Sequence, residues 1–328
     1  MRQWALIALK FAVSAALLYF AIRRIQIDMI SDRLKELNPA WLAAAVAIGL
    51  LQTAIGALRW RRVASLCGGA LPQGRALRFN MIATFFNQVL PSTIGGDAAR
   101  IILAARAGNG WRKATYSVLL DRFIGLLVLA SVVTAGLYWS FGLISNPIGR
   151  MVLLAAGLGG LAAAAAFLVL GSLPFLARWR LTRRLAELAK LARNILLSRT
   201  AAPMVLLLSL MIHLTTAAVA WSAARSVAAQ LSYLDALLLV LPVMLIVTIP
   251  ISIAGWGVRE SALVLAFSYA GLPESDGLLV SVLMGGAMFV VGILGGLVWL
   301  VGSDRVIADR SDQAETMLTS QADGKPGT

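Results

Sequence analysis

The chain has 328 residues, 59% of them hydrophobic and 13% charged, with a formal net charge of +14. That composition excludes an ordinary soluble domain, and a single cysteine and a single histidine exclude an internal disulfide and the usual zinc sites. The charge does not point to nucleic acid, because it flanks apolar runs: residues 59–78 carry Arg59, Arg61, Arg62, Arg75 and Arg78 and no acid, and residues 172–202 carry seven Arg/Lys against Glu187. Positive charge beside membrane spans marks the cytoplasmic side and attracts anionic lipid headgroups.

Crossing a hydrocarbon layer of ~30 Å takes ~20 apolar residues. Six stretches meet that length: about Trp4–Ile22, Ala40–Leu58, Ser117–Phe141, Met151–Gly171, Pro203–Ser222 and Leu278–Val301. The first has the basic start of a signal peptide, but its apolar run is long and Arg23 and Arg24 follow without a small-residue cleavage site, so it reads as an uncleaved span. Two further apolar stretches, about Ala76–Leu103 and Asp235–Ala270, are interrupted. Leu181, Leu185, Leu188, Ala192, Ile195 and Leu196 recur at helical spacing among basic residues, which predicts an amphipathic helix either on the inner leaflet or packed on the bundle. Residues 303–328 are polar and read as a disordered cytoplasmic tail.

The two interruptions carry one phrase twice, 159 residues apart. Pro91-Ser92-Thr93-Ile94-Gly95-Gly96-Asp97-Ala98-Ala99-Arg100 and Pro250-Ile251-Ser252-Ile253-Ala254-Gly255-Trp256-Gly257-Val258-Arg259 both read Pro, any residue, hydroxyl, Ile, small, Gly, with Arg nine places after the Pro. Gly/Pro breaks at corresponding places in two halves are a sequence pointer to a transporter binding site. Placing both basic loops inside makes the first broken stretch start and end in the cytoplasm and the second start and end outside. The expected fold is an all-α polytopic membrane protein of six full spans plus two re-entrant hairpins in an inverted-topology repeat. Its halves are about 1–142 and 143–302, its single domain is 1–302, and both termini are cytoplasmic. The loop 23–38, with four Arg/Lys, resists this assignment. The rival count makes Asp235–Ser252 a full span and gives seven or eight crossings.

Irregular backbone at membrane depth must be buried in protein or line a wet cavity. Gly95, Gly96 and Gly255 permit close backbone approach there. A helix starting after such a break aims free N–H groups and its positive dipole end at the break, which favours an anionic group; Asp97 or Thr93 could instead cap that helix. Arg100 and Arg259 add full charges with forks suited to phosphate. They bind or gate a substrate, or they brace the hairpins by pairing with Asp97 or Asp121 and with Glu260. Asp121-Arg122 opens the third span, so Asp121 neutralises an Arg of the first hairpin or is a helix-start acid favoured by the dipole. Asn87 meets a headgroup or satisfies the broken backbone, and Ser252 is the hydroxyl of the second phrase. Arg59-Trp60 reads as an interfacial anchor, and His213 as a neutral histidine bonded to a neighbouring helix. Gly157-Leu158-Gly159-Gly160 and Gly292-Ile293-Leu294-Gly295-Gly296 read as close helix packing.

The string Asn87–Arg100 resembles the signature of the flippase-like transmembrane domain family, which includes the membrane half of lysylphosphatidylglycerol synthase. Lys113-Ala114, Ser117-Val118 and Asp121-Arg122-Phe123-Ile124-Gly125 resemble its next motif, with Asp where Glu is commoner, and Pro250–Glu260 resembles its third. The likeness covers roughly residues 5–302. It implies lipid handling in a bacterial cytoplasmic membrane. No aminoacyltransferase domain follows the last span, so synthesis of lysylphosphatidylglycerol is not expected. Nor is any other catalysis, cofactor, metal or nucleic-acid partner. The expected activity is transport of an anionic or phosphate-bearing lipid by a site around Arg100 and Arg259, with Asp97 and Glu260 holding those arginines. The alternatives are a non-transporting accessory subunit of a lipid-modifying or glycosyltransferase enzyme, and a small-solute secondary transporter.

Overall fold

A computed structural model of the chain describes residue 33 and residues 35–90, 95–170, 180–248 and 257–302. Regular structure among these residues is entirely helical. Helix α1 spans Pro39–Leu66: the Asn38 side chain accepts from the Ala40 N–H, and proline sits at the first helical position, where its missing N–H costs nothing. It stops at Gly68, whose φ of 74° suits glycine. Helix α2 is Gln73–Val89, and Leu90 after it is extended, as a residue preceding proline must be. Helix α3 is Gly95–Ala104, followed by a π-helical turn at Ala105–Asn109. Gly108, with φ of 97°, makes the kink that leads into α4, Gly110–Ala135.

After the short α5 (Leu137–Leu143) come α6 (Pro147–Leu170), α7 (Arg180–Leu197) and α8 (Ala202–Ser226). Then follow α9 (Tyr233–Val247), α10 (Val258–Tyr269) and α11 (Glu274–Val301). Among the described residues five helical runs are long and apolar enough to cross a membrane: α1, the kinked run Gly95–Ala135, α6, α8 and α11. The expected span Trp4–Ile22 and the tail 303–328 lie outside the described residues. The third span begins earlier than the hydropathy suggests, at Gly110, and breaks at Gly136.

The order long, short, short, long occurs twice, as α1–α4 with 28, 17, 10 and 26 residues and as α8–α11 with 25, 15, 12 and 28. At 1.5 Å per residue, α3 and α10 reach only about 15 and 18 Å, well short of a bilayer core. Each packs against the short helix before it and the long helix after it. The corresponding helices α1 and α8 run antiparallel. The Asn38 N–H donates to the Ser226 carbonyl at one end (2.8 Å), Gln52 Nε2 to Thr216 Oγ1 in the middle (2.7 Å), and Arg59 Nη1 to Ser209 Oγ further along (3.1 Å).

Small residues set these approaches, since lipid provides no hydrophobic drive between helices. A Cβ on Gly295 would run into the Met81 carbonyl, and one on Gly296 would lie 2.8 Å from the Phe85 ring. Gly157 lies against Thr134, whereas Gly159 faces open space. The amphipathic helix α7 packs on the bundle: Leu188, Ala192 and Ile195 are buried with Val63, Leu120 and Val205. Arg112 and the Tyr116 hydroxyl donate to Glu187, at 2.8 and 3.0 Å.

Candidate functional site

Two glycines let α2 and α3 pack closely. A Cβ on Gly96 would strike the Ala83 carbonyl, and one on Gly95 would lie 2.8 Å from Leu90 Cβ. Asn87 Oδ1 accepts the Gly96 N–H at 2.9 Å, so this side chain satisfies the interrupted backbone. Asp97 then falls in the first turn of α3, where the helix dipole favours an anion. Arg100 follows one turn later, on the same face.

From there a chain of charges runs across three helices. Arg122 Nε donates to Asp97 Oδ2 at 2.6 Å, and Arg100 Nη2 donates to Asp97 Oδ1 at 2.5 Å. Arg100 Nη1 donates to Asp121 Oδ2 at 2.9 Å, and Arg59 Nε donates to Asp121 Oδ1 at 2.8 Å. The order Arg59, Asp121, Arg100, Asp97, Arg122 alternates in sign. Each carboxylate lies between two guanidinium groups, which makes burial tolerable for charges that are costly at membrane depth. The side chains of Arg59, Asp121, Arg100 and Asp97 are 10%, 2%, 7% and 13% exposed, and that of Arg122 is 45% exposed. The chain is therefore buried at one end and open at the other.

Packing holds the buried end. The Arg100 guanidinium lies over the Trp60 ring, 5.1 Å from its centroid. Trp60 Nε1 donates to Ser117 Oγ (3.1 Å), which donates to the Ala114 carbonyl. The Arg59 guanidinium lies against Gly125, where a Cβ would come within 3.0 Å of it. His213 is buried, with Nε2 2.9 Å from the Gly125 carbonyl, in keeping with a histidine tied to the next helix.

The charge chain forms one wall of a polar cavity of about 240 Å³. Gln52 and Thr53 of α1 and Asn80, Thr84 and Asn87 of α2 form other parts of its lining. Of the residues singled out from the sequence, Asn87, Asp97, Arg100, Asp121 and Arg122 meet here, beside Gly95 and Gly96. Pro91, Thr93, Pro250, Ser252 and Gly255 lie outside the described residues. Arg259 and Glu260 do not line this cavity but form a second cluster. Glu260 is fully buried and accepts from the Gly257 N–H (2.6 Å), Arg259 Nη2 (2.7 Å) and Ser281 Oγ (2.9 Å).

Two readings of the sequence need correction. Arg59-Trp60 is no interfacial anchor: Trp60 is fully buried and Arg59 ends the charge chain. Asp121 does not open a helix, since α4 begins at Gly110; the residue is held by Arg59 and Arg100 rather than by a helix dipole. Of the cavity's neutral polar residues, only Asn87 was legible; Gln52, Thr53, Asn80 and Thr84 were missed. Asn80, Thr84 and Asn87 recur at i, i+4 and i+7, which places them on one face of α2. Gln52, Gly56 and Arg59 make a similar stripe on α1, so a search for polar stripes in apolar helices would have found both.

A comparison with curated proteins finds no match. The family model for the lysylphosphatidylglycerol synthase transmembrane region matches residues 7–296. With that match over most of its length, the chain belongs to the lysylphosphatidylglycerol synthase transmembrane-region family.

Proposed function

We propose that this protein is a lipid flippase that moves an anionic or phosphate-bearing lipid across a bacterial cytoplasmic membrane without catalysing a covalent step. The observation that carries the reading is the open end of the charge chain. Three guanidinium groups (Arg59, Arg100, Arg122) face two carboxylates (Asp121, Asp97), which leaves one formal positive charge at the cavity. The alternation is one anion short, and the free place is at Arg122, the exposed member. A headgroup phosphate supplies that anion. Arginine forks pair with phosphate bidentately, and in a site of reduced dielectric such a pair is stronger than in water.

Until the headgroup arrives, Asp97 occupies the Arg122 guanidinium and keeps it from standing unpaired. The headgroup takes over that place, and Asp97 stays with Arg100. Arg259, held by Glu260 and Ser281 at the corresponding position of the second helix pair, serves as the equivalent gate on the other side. The antiparallel packing of α1 and α8 supports two halves of inverted topology, with the short helix pairs as re-entrant hairpins entering from opposite faces.

Scrambling of fluorescent lipids in proteoliposomes tests this, with anionic, zwitterionic and polyprenyl-phosphate lipids compared. Arg122 is half-exposed, so Arg122→Gln leaves the fold intact. It lowers the rate for phosphate-bearing anionic lipids by about tenfold or more, the loss expected from one charge-assisted pair. Arg259→Gln is expected to lower the rate as well. Wild-type rates in both variants, at unchanged melting temperature, would rule the mechanism out.

A further inference from the structure

We infer that the hydrocarbon chain of the transported lipid lies in a long apolar groove formed by α4, α6, α9 and α10, with its phosphate at Arg122. The inference rests on the reading of the charge chain as a headgroup site. Two apolar cavities flank α6 on one side. One, of about 580 Å³, is bounded by Phe123 and Leu126 of α4, by Gly159 of α6 and by Ile246 of α9. The other, of about 330 Å³, is bounded by Ile148 of α6, Pro242 and again Ile246 of α9, and Tyr269 of α10. Because Ile246 belongs to both, they form one furrow.

Its length is set by α6, whose lining residues run turn by turn from Ile148 to Phe167. At 1.5 Å per residue that is about 28 Å, the full hydrocarbon thickness of a bilayer. At its Phe167 end the furrow is bordered by Phe123, the two ring centroids lying 4.6 Å apart. That end adjoins the polar cavity: Arg122, which lines the cavity, and Leu126, which lines the furrow, are four residues apart and share one face of α4. A lipid with its phosphate at Arg122 therefore has an apolar path beginning one helical turn away and crossing the membrane. At Gly159 the path is open, since a Cβ there would meet no atom within 4 Å, and a tryptophan ring at this position would fill it.

The test uses the purified protein in nanodiscs of a phosphate-free diacyl glycolipid, with photoactivatable lipids carrying a diazirine in the chain. The probes are phosphatidylglycerol, a polyprenyl phosphate, and diacylglycerol with the same chain but no phosphate, and labelling of α6 is read by mass spectrometry. A phosphate-bearing probe is expected to label α6 about tenfold more than diacylglycerol does, and the preference is expected to vanish in Arg122→Gln and in Gly159→Trp. The phosphate probe that labels more strongly identifies the chain as acyl or isoprenoid. Equal labelling by all three lipids, indifferent to both substitutions, would mean that the groove holds only annular lipid and would overturn the inference.

Glycerol phosphate, added as a soluble headgroup, separates the two ideas. If it raises the melting temperature of wild type but not of Arg122→Gln while groove labelling stays headgroup-independent, the headgroup site stands and the groove assignment falls. If it has no effect and labelling is also indifferent, both fall.

Discussion

Asp121→Asn is expected to destabilise the protein by about 3–5 kcal/mol, the cost of removing one partner from a buried ion pair. Asp121 is 2% exposed and accepts from both Arg59 and Arg100. An amide of the same shape leaves both guanidinium groups without their shared countercharge, at a position only 2% exposed. The measurement is thermal or denaturant unfolding in a fixed detergent, with Arg122→Gln as the comparison. Arg122 is 45% exposed, so its loss costs far less, which separates the brace at the buried end from the exposed end of the charge chain. Combining Asp121→Asn with Arg59→Leu removes one charge of each sign and should recover part of the loss. A single variant within about 1 kcal/mol of wild type would show that the charge chain does not hold α1, α3 and α4 together.

The second large effect is expected at Gly96. Alanine there puts a Cβ onto the Ala83 carbonyl and 2.6 Å from Asn87 Oδ1. The backbone contact cannot yield without parting α2 from α3, at an overpacking cost of about 1–3 kcal/mol. Displacing Asn87 also strips the Gly96 N–H of its acceptor, and an orphaned buried donor costs about 1–3 kcal/mol more. The same shift moves Asp97 and Arg100, so the proposed headgroup binding and transport should fall together with stability. Gly159→Ala is the matched control, because its methyl enters open space. If Gly96→Ala and Gly159→Ala unfold alike, close approach of α2 and α3 is not what Gly96 supplies.

These two positions show different degrees of legibility in the sequence. Gly96 stood out in the repeated phrase, and its neighbours Asn87, Asp97 and Arg100 were found with it, because a break in an apolar run at membrane depth demands a local explanation. Asp121 was noticed but given two roles, one of them wrong, since hydropathy put the start of its helix near Ser117 while the helix starts at Gly110. Arg59 was misread for a plain reason. It stands beside Arg61 and Arg62 at the end of an apolar run, and charge at such an end resembles an interfacial anchor. Nothing local distinguishes an arginine facing headgroups from one turned inward toward Asp121 and Ser209.

By itself the sequence determined the class of molecule, the positions of most spans, the two interruptions and their kinship. Those properties follow from one-dimensional quantities: about 20 apolar residues are needed to cross, glycine and proline are needed to break, and basic residues flank the cytoplasmic ends. The tertiary structure alone decided which charges meet. Arg59 lies 62 residues from Asp121 and 150 from Ser209, and their contacts exist only because α1 packs against both α4 and α8. It also decided that the first cluster lines a cavity with an open cationic end and that Arg259 and Glu260 form a separate one. A charge buried in a low-dielectric interior depends on what stands within a few ångströms of it, and that distance is a property of packing rather than of order along the chain.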